Sequence, residues 1–181
     1  MIFLLLCTLL ASCGGESSED TKGLSTKVTE TFSLSVPTTW EILSSKSDKI
    51  PQPVSGTIVL AASSPDIKSW FSNSLTVLEE SLEQEVSLSA FSENLKTSLQ
   101  KDMNSYIEKE TLPFTFLDGT ESELRVFQAR YNANTPLLLY FQVPQICGEN
   151  IYITTLALDN SITDFEKYKY ILSTFTCKSQ K

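Results

Sequence analysis

Four apolar segments crowd the second half of the chain, at residues 112–117, 123–131, 137–143 and 151–158, with only short polar connections between them. That crowding restricts the fold more than any other feature. Parallel neighbours need a crossover of roughly a dozen residues or more, so strands this close in sequence must pair antiparallel. Asp118 and Gly119 set the turn after the first segment, where a residue free to take positive φ is needed.

The first half supplies further strands. Phe32, Leu34 and Val36 alternate with Ser33 and Ser35, the pattern of a half-buried strand, and Pro37 stops it. The pattern resumes over residues 40–43. A polar loop holding Pro51 and Pro53 leads to a continuous apolar strand at 57–62, and another is centred on Leu75 and Val77. Leu88, Phe91, Leu95, Leu99, Met103 and Tyr106 then recur at steps of three and four, which predicts a helix with a core-facing stripe. Thr163 and Glu166 have the spacing of a capping box, opening a terminal helix through Phe165, Tyr168, Ile171 and Leu172. The expected fold is α+β: an antiparallel sheet of about six or seven strands flanked by helices.

Function classes are narrowed mostly by what is missing. The sequence contains no His, which removes imidazole-based catalysis and His-ligated metal sites. Six Gly are too few and too scattered for a phosphate-cradling loop. Lys and Arg number 14 against 22 Asp and Glu, a net charge of −8, and nucleic-acid affinity depends on the opposite sign. No nucleic-acid partner and no cofactor are expected.

The beginning of the chain carries its own signal. Residues 2–10 are apolar except Thr8, long enough for the hydrophobic region of a signal sequence and too short to span a bilayer as a helix. Leu10, Ala11, Ser12 and Cys13, followed by Gly14, resemble a lipobox, although no Lys or Arg precedes the run. The resemblance implies a bacterial lipoprotein with signal peptide 1–12 and lipidation at Cys13. An ordinary secretory leader and a buried N-terminal strand are the alternatives. Residues 13–28 are polar and small enough to form a flexible tether, leaving a domain at 29–178. Such a protein is extracytoplasmic and membrane-anchored. It sits at the outer membrane of a two-membrane cell, otherwise at the outer face of the cytoplasmic membrane.

Within the domain, several segments resemble the PsbP-like superfamily. These are Phe32-Ser33-Leu34-Ser35-Val36-Pro37 followed by Trp40, Phe71-Ser72-Asn73-Ser74-Leu75-Thr76-Val77, and Ser87-Leu88 opening the long helix. The Leu117-Asp118-Gly119 turn and the closing Ile171-Leu172-Ser173-Thr174-Phe175 complete the set. That superfamily covers photosystem II extrinsic proteins, many bacterial lipoproteins and a nuclear Ran-binding relative. The resemblance implies an α/β/α sandwich and carries over no photosynthetic role or metal ligand.

Individual candidates are few. Cys147 and Cys177 are the cysteines left in the mature domain besides Cys13, and outside the cytoplasm they are expected to form a disulfide. Glu79, Glu80, Glu83 and Glu85 offer oxygen ligands to a hard cation, but such a run more often forms a solvated face, and no metal is expected. Asp118, Glu121 and Glu123 read as turn chemistry. Ser98 and Lys101 match a Ser-x-x-Lys spacing without any companion motif. Trp70 and Phe71 are candidates for an exposed aromatic anchor, with packing under a sheet edge the simpler expectation.

The functional expectation is a non-catalytic binding or accessory domain acting on an envelope protein partner and held to the membrane by its lipid. The alternative is a carrier of a small apolar ligand. A carboxylate-based hydrolase would need two acids converging in one cleft.

Overall fold

The structure, a computed structural model, describes residues 23–178 apart from 46, 48, 49, 51, 69, 83 and 85. The leader, Cys13, Glu83 and Glu85 therefore lie outside the described residues. Strand β1 (Leu24–Val28), β2 (Phe32–Pro37) and β10 (Thr176–Cys177) form a small antiparallel sheet in the order β1-β2-β10. A larger sheet contains β3 (Glu41–Ile42), β4 (Thr57–Lys68), β5 (Phe71–Ser81), β6 (Asn104–Thr115), β7 (Glu121–Arg130), β8 (Leu138–Cys147) and β9 (Asn150–Asp159). Its order is β3-β4-β5-β9-β8-β7-β6, antiparallel throughout. Helix α1 (Leu88–Asp102) links β5 to β6, and α2 (Glu166–Ser173) links β9 to β10.

Side-chain alternation along β8 shows how the layers stack, because successive residues point to opposite faces. Leu139, Phe141 and Val143 join the main core with β2 and α2, whereas Leu138 and Tyr140 join a second cluster with Leu99 and Met103. One face of the large sheet is thus covered by the small sheet and α2, the other by α1. The main core is centred on Phe32, fully buried, stacked 5.0 Å from Phe175 and tilted 5.2 Å from Tyr152. The expected α+β architecture is present, with a seven-stranded antiparallel sheet and a helix on each side.

Four sequence expectations need correction. The tether was expected to run to residue 28, but residues 24–28 form β1, in register with β2 from Leu24↔Pro37 to Val28↔Ser33. A single sheet was expected, and the structure has two. The long helix ends at Asp102 rather than passing through Tyr106. Ser105 turns the chain at φ +55°, and Tyr106, now on β6, comes back to the same cluster by stacking 5.1 Å from Phe127. The capping box is also absent: α2 starts at Glu166, Phe165 is its N-cap, and no side chain caps it. Ser87 does cap α1, accepting from the Ala90 N–H at 3.3 Å.

Candidate functional site

The two halves of the α1 face carry side chains of very different size. One row across the sheet reads Ser63, Ser74, Ala157, Tyr140 and Phe127, each paired with the next across β4, β5, β9, β8 and β7. The next row reads Ala61, Thr76, Thr155, Gln142 and Arg125. Where the residues are large, α1 lies over them. Phe127 and Tyr140 stack at 4.9 Å with planes 6° apart, and Leu99 and Met103 close above them. Where the residues are small, α1 does not reach.

At the far edge, Leu43 and Ile50 fold back over Ile58, Ala61 and Leu78. Gly56 permits the return. It sits at φ +74°, and a Cβ there would meet the Glu79 carbonyl oxygen at 2.6 Å. Between this loop and α1 lies an open groove of about 1340 Å³ with β5 and β9 as its floor.

Exposed apolar side chains gather at its mouth. Val54, Ile67, Trp70 and Tyr131, all large and exposed, line it from the loop before β4, the end of β4, the β4–β5 turn and the loop after β7. Trp70 is 98% exposed and holds φ at +67°, a left-handed backbone that costs a non-glycine residue about 1–2 kcal/mol. The aromatic pair is thereby split. Phe71 is half-buried in the α1 cluster, while Trp70 stands clear of the sheet edge it was expected to pack beneath.

A polar layer runs under and beside α1. Arg125, 4% exposed, donates to the Ser92 carbonyl at 3.0 Å, leaving its Nε without a partner. Gln142, 6% exposed and lining the groove, donates to Thr155 Oγ1 at 3.1 Å, and its Oε1 accepts nothing. Burial, with a smaller contribution from Tyr131, raises the Tyr140 phenol far above its ordinary range, so it stays neutral at the groove wall. On the outer side of α1, Lys96 pairs with Glu108 at 2.7 Å.

The remaining candidates resolve individually. Cys147 and Cys177 are bonded, with Cα atoms 5.6 Å apart, joining β8 of the large sheet to β10 of the small one. Glu79 and Glu80 are sent to opposite faces by strand alternation. Glu79 accepts from Tyr152 at 2.6 Å and Asn150 at 3.1 Å, and Glu80 accepts from Ser55 at 2.7 Å. Among the described residues no group of three Cys, Asp or Glu is placed to hold a metal ion. Asp118 accepts from the Thr120 N–H at 2.9 Å, with Gly119 at φ +84°, as turn chemistry requires. Ser98 and Lys101 are both exposed on α1. Glu80, near the end of β5, and Asp102, at the end of α1, both line the groove.

The rows of small residues were visible in the sequence but not their consequence. Ser72, Ser74 and Thr76 alternate with apolar positions, which reads as a solvent face until α1 and the returning loop are placed over it.

The arrangement defines the class as an α+β domain of PsbP-like fold with a groove on its helix-covered face. No family model matches the sequence, and no curated protein does. Solved structures share the fold, and two of them illustrate it. One is the solution structure of the cyanobacterial PsbP protein, CyanoP, from Synechocystis sp. PCC 6803. Its TM-score is 0.56 at 13% identity, covering 93% of this chain and 99% of that one. The other is PA94 from Pseudomonas aeruginosa, a protein of unknown function described as a candidate regulator. Its TM-score is 0.58 at 12% identity, covering 87% of this chain and 99% of that one. At these identities the likeness is one of fold.

Proposed function

We propose that this chain is a non-catalytic binding protein of the bacterial cell envelope, anchored through a lipidated Cys13, that engages another envelope component through the groove beside α1. The observation that carries this reading is the rim. Large apolar side chains exposed singly need no explanation, but Val54, Ile67, Trp70 and Tyr131 surround one concavity. A strained, solvent-facing tryptophan is the residue type that anchors interfaces.

Photocrosslinking from position 70 in native membranes tests the proposal, with Val28, exposed on the small sheet, as the control. A reproducible adduct from position 70 and not from 28 is expected. None from 70, or the same from both, refutes it. The anchor is tested separately, since globomycin should make the uncleaved precursor accumulate, and unchanged processing removes the lipoprotein reading.

The mainly apolar lining of the groove favours a second reading, a carrier of a small apolar ligand, for which about 1340 Å³ is more than enough room. Co-purified ligand in native mass spectrometry supports it, and a bare protein after mild extraction opposes it.

A further inference from the structure

We propose that the domain docks on the membrane that holds its anchor, with the β4–β5 tip and the end of β7 against the lipid surface. The inference rests on Cys13 being the lipidated residue, and its test reads that point separately. β4 and β5 form a hairpin whose last pair is Lys68↔Phe71, with Trp70 in the turn and Ile67 opposite Ser72. The rows of the sheet fix what lies beside this tip. Ser74 pairs with Ala157, Ala157 with Tyr140, and Tyr140 with Phe127. Trp70 comes four residues before Ser74, and Tyr131 four after Phe127 on a strand of opposite direction, so both leave the sheet at the same end.

Ile67, Trp70 and Tyr131 are all exposed, and β5 and β7 stand three strand spacings apart, roughly 14 Å. They make a broad apolar end and not one compact knob. Two of them suit the boundary of a bilayer in particular. Trp and Tyr join an apolar ring to a polar tip, and both are enriched where hydrocarbon meets water. A fluid lipid surface moulds itself around separate projections, whereas a protein partner would need a matching pocket for each.

The route of the chain points the same way. Gly23, the first described residue, lines a cavity of about 320 Å³ with Ser64 and Asp66 of β4 and Asn73 of β5. Those residues flank the tip, so the polypeptide enters the domain beside it. Cys13 stands ten positions before Gly23, and ten residues span at most about 36 Å. A lipid on Cys13 thus keeps the Gly23 end within that distance of the bilayer. So short a link makes docking intramolecular, at an effective concentration on the order of millimolar, and a patch of three side chains then suffices.

The test uses the full chain with Trp40→Phe, so that Trp70 is the remaining tryptophan. It is reconstituted in phosphatidylcholine vesicles with and without bromine on the acyl chains. Trp70 emission should shift to the blue and be quenched by the bromines. Ile67→Ser with Tyr131→Ser should lower the ratio of docked to undocked chains about tenfold, equivalent to 1.4 kcal/mol. A tryptophan moved to the far end of β1, through Trp70→Phe and Val28→Trp, should escape quenching. Because Trp40 is half-buried against the main core, a photocrosslinker at position 70 of the otherwise unaltered chain repeats the reading and should give lipid adducts.

Trp70 left unquenched in a chain whose mass shows lipid on Cys13 overturns the inference and leaves the anchor standing. A chain without that lipid removes the anchor, and the inference with it. Equal quenching at positions 28 and 70 overturns it too, because the contact then has no preferred face, and so does a double variant that docks like its parent. Position-70 adducts with protein alone give the rim to a polypeptide and overturn the inference, while the binding role stands.

Discussion

Cutting the bond between Cys147 and Cys177 should destabilise the domain by about 3.6 kcal/mol, the chain entropy released when a closed loop of 30 residues is opened in the unfolded state. Reduction of the wild-type protein and the Cys147→Ser, Cys177→Ser and double variants all remove the same link. The singles should therefore cost nearly as much as the double instead of half each. The serine proteins lose slightly more than the reduced one, because both sulfurs are half-buried against the main core. Urea denaturation followed by far-UV circular dichroism measures this. The midpoint should fall, and the slope should rise because the untied unfolded chain exposes more surface. Heating gives the same comparison as a Tm lowered by roughly 7–14 °C. A loss under about 1 kcal/mol, or alkylation of both thiols in the native unreduced protein, refutes the argument.

Three further outcomes are expected. Gly56→Ala should cost about 2 kcal/mol or more and lower Tm by roughly 4–8 °C, since positive φ and the Glu79 carbonyl both oppose a Cβ there; an unchanged Tm contradicts it. Trp70→Gly should hold stability or raise it by up to about 1 kcal/mol, because the side chain is exposed and its backbone strained; a clear loss would mean the indole packs on something. The Glu108 carboxyl should titrate below its ordinary value of 4.5, chiefly because of the hydrogen bond from Lys96. Its folded value is the depressed one, so the pair's stabilisation is full above the ordinary value and disappears as pH falls through the lowered one. Carbon-detected NMR of Lys96→Met should bring that titration back up, and no change would remove the pair as the cause.

Much of this fold could be read from alternation. The strands on either side of the Asp118–Gly119 turn, the Phe32–Leu34–Val36 face and the α1 stripe all follow from apolar spacing that persists over enough residues to exclude chance. What escaped detection was short or ambiguous. β10 contains two residues, Thr176 and Cys177, and exists because β2 offers it an edge. β1 is mostly polar, with Leu24 its one residue packed against the main core, so its composition resembles a tether. Tyr106 kept a helical spacing while lying on a strand, because both routes return it to Phe127. The groove was the least visible feature. Its floor is assembled from residues as far apart as Ser63 and Ala157, and small side chains announce a concavity only when their neighbours across the sheet are known.

The smaller sheet draws β1 and β2 from the opening of the domain and β10 from its close. During synthesis the hydrophobic slot around Phe32 therefore stays unfinished until Phe175 and Cys177 have emerged, more than 140 positions later. A polypeptide halted after β9 has every strand of the seven-stranded layer but lacks α2 and β10 from the cover on one side of it. Completion of the smaller sheet therefore waits on the segment that supplies β10.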